Sequence, residues 1–314
     1  MAQSASRVDW LLFLVLGVIW GSSFLFIKIG VEAGLQPLTL VMLRLVLGTA
    51  LLAVVLAASR VRLPREAKTY GHLAVMGLIA IALPFSLITW AEQTVDSTIA
   101  SVINGGVPLF VIPIAAIFLR DEPVTPNRLA GIAIGFIGVA ILVGFDPARL
   151  AGGDLGGELA IVAATISYAA GGVYARRMVR GLPAIVPAFF QVGFALVIVT
   201  VLAVAFERPL HVPFALDAVV SVLWLGLLGS GIAYVIFFRL LGRWGASRTS
   251  LVTYLMPVVG LLMGASVLGE PVDGRLLGGA GLVIGGIGLV NSRIGSRPLF
   301  ARSSPATVKP STSA

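Results

Sequence analysis

Apolar residues run along this chain in long blocks, and polar residues interrupt them only briefly. A membrane-crossing helix needs about 20 mainly apolar residues. Ten stretches approach that length, at about 10–30, 37–58, 70–91, 98–119, 127–145, 157–176, 184–206, 215–238, 248–268 and 275–294. The breaks between them are short, polar and in places rich in Pro or Gly, and none has room for a catalytic domain. The pattern predicts an all-α membrane protein of ten transmembrane helices. Residues 1–9 form a short leading segment, 146–156 a linker, and 295–314 a polar tail with the composition of disorder. The first stretch follows Arg7 as the apolar part of a signal peptide would. It is too long for that, lacks a small-x-small cleavage site and contains Trp20 and Lys28, so it reads as a retained helix.

The same pattern occurs twice. Residues 100–123 read ASVINGGVPLFVIPIAAIFLRDEP and residues 249–271 read TSLVTYLMPVVGLLMGASVLGEP. Each places a proline within a span and ends in Glu-Pro. Pro108 maps to Pro257, Glu122 to Glu270, Gly131 to Gly279, Gly138 to Gly286, Trp20 to Tyr168 and Lys28 to Arg176. Residues 10–145 are thus one five-helix repeat and 157–294 a second. Five is odd, so the second repeat enters the bilayer from the opposite face. That inverted arrangement is a recurring plan of secondary transporters.

Composition agrees: the 314 residues are 58% hydrophobic and 11% charged, against about 25% charged in soluble domains. With the N-terminus in the cytoplasm, 17 Lys and Arg fall on the inner side and 4 on the outer, with Arg44 inside a span. The positive-inside rule then predicts both termini in the cytoplasm. The same bias accounts for the net charge of +8 without invoking nucleic acid. There is no cysteine and there are only two, distant histidines, His72 and His211. Neither a metal site nor a bound cofactor is expected. Paired catalytic carboxylates and Ser/His sets are also missing from the spans, which argues against an intramembrane enzyme. A channel or a non-transporting scaffold is the other alternative, and the repeat favours transport over both. Arg outnumbers Lys 19 to 3, a bias typical of GC-rich bacterial genomes, which places the chain in a cell inner membrane.

WGSSFLFIKIG in the first stretch, LRLVLGTALL in the second, AEQTVDSTIASVINGGVPLF across the third and fourth, and the repeated EP…G…G endings resemble EamA-type transporters of the drug/metabolite transporter superfamily. The resemblance covers about residues 8–294. It implies two five-helix repeats, a central cavity near the bilayer midplane and alternating access. It further implies export of amino acids, other metabolites or drugs. Relatives in the wider superfamily exchange nucleotide sugars or phosphorylated sugars.

Paired interruptions in the two halves are the best pointers to a transporter site. They predict kinks at Pro108 and Pro257, with Asn104, Thr253 and Tyr254 beside the freed carbonyls. Packing is the plainer reading of such kinks. Trp20 and Ser23 in the first stretch and Tyr168 in the sixth are candidate cavity residues, with Trp20 and Tyr168 able to face each other or to pack against neighbouring helices. In the eighth stretch, Ser230 and Tyr234 share a face with Gly226 and Phe237. Arg44 is a charge inside a span, a candidate for binding a substrate carboxylate, for pairing with Glu92 as an outer gate, or for snorkelling to headgroups. Glu92 is the candidate gate or proton-coupling carboxylate. Lys28 and Arg176 read as interface anchors, Glu122 and Glu270 as loop and cap residues, and Asp96 and Ser97 as N-caps. Gly131, Gly135, Gly138, Gly279 and Gly286 include GxxxG spacings, which read as packing between repeats or between copies in a homodimer. The partners expected are a small-molecule substrate, the lipid bilayer and protons as coupling ion.

Overall fold

A computed structural model of the chain describes residues 6–118, 126–143, 155–179, 181–208, 212–244 and 249–291. Glu122, His211, the stretch from 144 to 154 and the tail from 295 lie outside the described residues. All regular structure among the described residues is helical. In chain order the segments are α1 (Arg7–Glu32), α2 (Pro37–Ser59), α3 (Ala67–Ala91), α4 (Ser97–Gly105 and Val107–Phe118), α5 (Pro126–Val143), α6 (Gly156–Met178) and α7 (Ile185–Phe206). There follow α8 (Leu216–Leu223, Trp224–Ile232 and Ala233–Trp244), α9 (Ser250–Tyr254, Leu255–Met263 and Gly264–Leu268) and α10 (Gly274–Asn291). Among the described residues, seven helices are long and apolar enough to cross a membrane, and Leu129–Leu142, Val252–Leu268 and Gly274–Leu289 are shorter apolar helices.

The helix ends follow from local chemistry. α1 opens with a capping box: Ser6 Oγ accepts from Asp9 N at 3.2 Å while Asp9 Oδ2 accepts from Ser6 N at 3.1 Å. It closes with Gly34 at φ 93° and the Leu35 N–H on the Gly30 carbonyl at 3.1 Å, a left-handed stop that glycine adopts without strain. α2 starts on Pro37, whose missing N–H costs nothing at that position. The next two N–H groups, of Leu38 and Thr39, each donate to the Glu207 carboxylate at the end of α7, both at 2.7 Å.

Among the described residues four helices depart from regular α geometry, in two matched pairs. α3 widens to a π-helix at Leu78–Ala82, and α8 does so at Trp224–Ile232. Pro84 follows the first bulge and cannot donate to the turn before it. α4 breaks at Gly106, two residues before Pro108, and a further proline, Pro113, sits inside its second piece. α9 runs as a 3-10 turn over Ser250–Tyr254 before becoming α-helical around Pro257. The breaks lie at equivalent places in the two repeats.

The halves are interleaved. α1 packs on α8 and α9, α2 on α7 and α8, α3 on α6 and α7, α4 on α6 and α9, and α5 on α10. Each contact has its repeat-related counterpart or is its own. Glycines set the closest crossings. A Cβ on Gly138 would lie 2.8 Å from the Gly279 carbonyl oxygen, and one on Gly286 2.6 Å from that of Gly131. The glycine faces of α5 and α10 therefore meet each other within one chain, backbone against backbone. At the α2–α8 crossing a Cβ on Gly226 would lie 3.1 Å from the Arg44 carbonyl oxygen, and one on Gly48 would lie 2.7 Å from Ser230 Cβ.

Candidate functional site

The close α2–α8 crossing sets Arg44 against α8. The Arg44 side chain is 3% exposed, and its Nε donates to Ser230 Oγ at 3.1 Å. Its guanidinium carbon stands 4.1 Å from the centre of the Phe85 ring, a cation–π arrangement. The phenols of Tyr168 and Tyr234 lie within electrostatic reach of it. Trp20 donates from Nε1 to the Gly229 carbonyl in the bulge of α8 at 3.3 Å. Its ring packs on Tyr234 and Phe237, with centroids 6.0 and 5.4 Å apart. A Cβ on Gly229 would lie 3.4 Å from both Arg44 Nη2 and Ser23 Oγ, so these groups line one small space. Trp20, Ser23, Arg44, Tyr168, Ser230 and Tyr234 thus converge from α1, α2, α6 and α8, drawn from both repeats. Tyr168 packs on Phe85, with centroids 6.4 Å apart, whereas Trp20 meets Tyr234 edge-to-face.

The bulge of α3 is held in the same manner as that of α8. Ser167 Oγ on α6 donates to the Ile79 carbonyl at 2.6 Å, as Trp20 on α1 does to Gly229. A π-turn frees carbonyls from the regular ladder and is enriched at functional sites. Here one carbonyl in each bulge is taken by the first helix of the other repeat.

Asn104, Thr253 and Tyr254 form a second group, at the breaks in α4 and α9. These helices touch where a Cβ on Gly105 would run into the Pro257 ring. Asn104 is buried with its Oδ1 lacking a hydrogen-bond partner.

Glu92 caps the end of α3, one residue beyond the apolar span. It is 0% exposed and neither carboxylate oxygen has a hydrogen-bond partner. The anticipated Arg44–Glu92 pair is not formed in this state, since the guanidinium is engaged by Ser230 and Phe85. Lys28 comes nearer, yet its ammonium donates to backbone, to the Glu92 carbonyl at 3.0 Å and the Val95 carbonyl at 3.2 Å, with Glu32 at 3.8 Å. Lys28 therefore ties α1 to the α3–α4 connection. Burial pushes the Glu92 carboxyl well above the usual carboxylate range; Lys28 opposes this and Glu270 adds to it. Burial likewise raises Asp96, again with Glu270 contributing.

Asp96 occupies the N-cap position of α4 but makes no side-chain cap. Glu270, at the end of α9, supplies the cap across the repeats: its carboxylate accepts from Ser97 N at 2.7 Å and Thr98 N at 2.8 Å. A negative group at a helix N-terminus meets both free N–H groups and the positive end of the dipole. A cavity of about 240 Å³ opens at this end among Asp96, Glu158, Asp273 and Arg275. At the other end of α1, Arg243 Nη1 donates to Asp9 Oδ1 at 2.9 Å, closing α1 onto α8.

Sequence reasoning missed Phe85 and Gly229, because linear spacing does not show an apolar ring and a backbone carbonyl meeting in a polar cluster. The pre-proline position of the α3 bulge was the one available signal.

The EamA-like transporter family matches residues 9–144 and again 155–292. The uncharacterized inner membrane transporter YedA of Escherichia coli (strain K12) is 30% identical over 260 residues, covering 81% of this chain and 80% of that protein. A probable amino-acid metabolite efflux pump of Salmonella typhimurium is 29% identical over 291 residues, covering 89% and 93%. A probable terminal-alkyne amino-acid exporter of Streptantibioticus cattleyicolor is 29% identical over 293 residues, covering 92% and 94%. A solved crystal structure at 22% identity superposes with a TM-score of 0.65, covering 91% of this chain and 99% of the other; that likeness concerns the fold alone.

Proposed function

This chain belongs to the EamA-like transporter family, and on that premise we propose that it exports small organic metabolites bearing a carboxylate, amino acids among them, across a cell inner membrane by alternating access. All ten helices cross the bilayer in this reading, with both termini cytoplasmic, as the distribution of Lys and Arg favours. The α3–α4 connection, Glu270 and the cavity beside them then face outward, and the Asp9–Arg243 pair faces the cytoplasm. The names of the Salmonella and Streptantibioticus relatives point to the same substrate class.

The observation that carries the reading is Arg44. A buried guanidinium is always charged, and burying a charge without a counter-ion is costly. Its described partners are a hydroxyl and an aromatic face, both neutral. A substrate carboxylate supplies the missing charge, in a two-pronged hydrogen bond that an arginine fork suits. Trp20, Phe85, Tyr168 and Tyr234 surround it with apolar surface for the rest of the molecule. Among the described residues Arg44 is the one cation in this cluster. That favours a single carboxylate over the phosphates of a nucleotide sugar, which call for several cations. Groups from both repeats meet here, so rocking one repeat against the other opens the cluster to one side at a time.

Counterflow in reconstituted vesicles tests this. Radiolabelled aromatic and aliphatic amino acids, a nucleoside and a cationic dye are offered to vesicles preloaded with the same unlabelled solute. Saturable exchange of the carboxylate-bearing solutes is expected. Exchange of the nucleoside or the dye with none of the amino acids would overturn the carboxylate assignment.

A further inference from the structure

We propose that Glu92 is a proton-binding site, separate from the Arg44 cluster, that holds its proton in the state seen here and releases it when the α3–α4 end opens. The side chain is wholly buried and both oxygens lack partners. An ionised carboxylate in such a place has lost its water and gained only the Coulombic pull of Lys28 and Arg44 in return. Among the described residues, the charged groups that reach it from the neighbouring helices are engaged elsewhere. Lys28, from α1, spends its ammonium on the Glu92 and Val95 carbonyls. Glu270, from α9, is bound by the N-terminus of α4. Arg44, from α2, is on Ser230. Asp96 sits on the same connection. A neutral acid costs far less in this setting than an anion does.

The position gives the proton a use. Glu92 lies where α1, α3, the start of α4 and the end of α9 meet, so it spans the seam between repeats. Once the site is wetted, the proton leaves to water and the carboxylate competes with two backbone carbonyls for the Lys28 ammonium. That exchange loosens the tie between α1 and the α3–α4 connection. Proton release and opening are then one event. A sodium ion would neutralise the same carboxylate, and the hydroxyl oxygens of Thr89, Ser97 and Thr98 are also buried without partners, so the test separates the two ions.

The proton-binding claim stands without the transport function proposed above; the coupling claim rests on it. The full chain in lipid vesicles is stepped from acid to alkaline pH and followed by infrared difference spectroscopy in the carbonyl region of protonated carboxylic acids. A band that persists at neutral pH is expected, lost in Glu92→Gln and retained, shifted, in Glu92→Asp. Thermal melting of both variants checks that they fold. No such band in the wild type, or an unchanged band in Glu92→Gln, overturns the proposal. Loss of the band when sodium replaces choline at fixed pH overturns it in favour of sodium. For coupling, vesicle uptake of an amino acid that exchanges is driven by an imposed pH gradient. Stimulation should vanish in Glu92→Gln, and stimulation equal to wild type overturns the coupling claim. Should no amino acid exchange while the band behaves as expected, the substrate reading fails and the proton site stands.

Discussion

Arg44 and Glu92 are both ionisable residues removed from water, and the molecule treats them in opposite ways. Arg44 is dressed: a hydroxyl on Nε, a ring beneath the guanidinium and phenols nearby. Glu92 is bare. The difference follows from what each side chain can do about its charge. A guanidinium cannot shed its proton, so the fold must provide for it. A carboxyl becomes neutral by binding one, so it tolerates a site with no partner. A permanent charge suits the recognition of an anion, and a removable one suits a switch.

The contrast is easiest to break at Arg44. Arg44→Met is expected to lower saturable flux roughly ten- to a hundredfold, the loss of a charge-assisted hydrogen bond of about 1.5–3 kcal/mol. Its melting temperature in detergent should hold or rise, because replacing a buried charge by an apolar side chain of similar size is often neutral or stabilising. A parallel fall in melting temperature would make Arg44 a structural residue. Next is the acidic neighbour of Glu92. Glu270→Ala removes the cap of α4 and should cost about 1–2 kcal/mol in unfolding free energy, read by denaturant titration in mixed micelles.

The third expectation concerns pH. The folded state holds the Glu92 proton to a higher pH than the unfolded chain does. Stability is therefore expected to fall as pH rises from the ordinary carboxylate range through the raised folded value, by at most about 1.4 kcal/mol per pH unit per group. Lys28, Glu270, Arg44 and Asp96 face the site. Asp96, raised as well, leaves a residual slope when Glu92→Gln removes the main one. Thermal melts across pH check both slopes. The smallest effect is at the dressing of Arg44: Ser230→Ala removes one hydrogen bond worth about 0.5–1.5 kcal/mol and should raise KM roughly two- to tenfold.

The sequence made the apolar helices legible, because the apolar runs are long and their ends polar. Pro108 and Pro257 marked the paired breaks in α4 and α9, although the helix gives way just ahead of each proline, where the missing N–H and the ring are felt. Trp20, Ser23, Arg44, Tyr168, Ser230 and Tyr234 were legible as residue types out of place in apolar helices. Their pairing was not. Linear spacing cannot say that α2 leans on α8 through Gly48 and Gly226, which hands Arg44 to Ser230. Nor can it say that Glu270, 173 residues from Ser97, takes the cap that Asp96 occupies by position. Asp96 looks the better cap in sequence because it is local. Glu270 wins because α9 ends beside the start of α4.

The interleaving of the repeats has a consequence for biogenesis. Synthesis runs from the N-terminus at about 5–20 residues per second. Ser230 follows Arg44 by 186 residues, so Arg44 waits roughly ten to forty seconds for its partner to be made. Through that interval α1 to α4 lack the faces of α6 to α9 that will cover them. The nascent first half must be sheltered by the insertion machinery or by lipid rearrangement until the second half arrives.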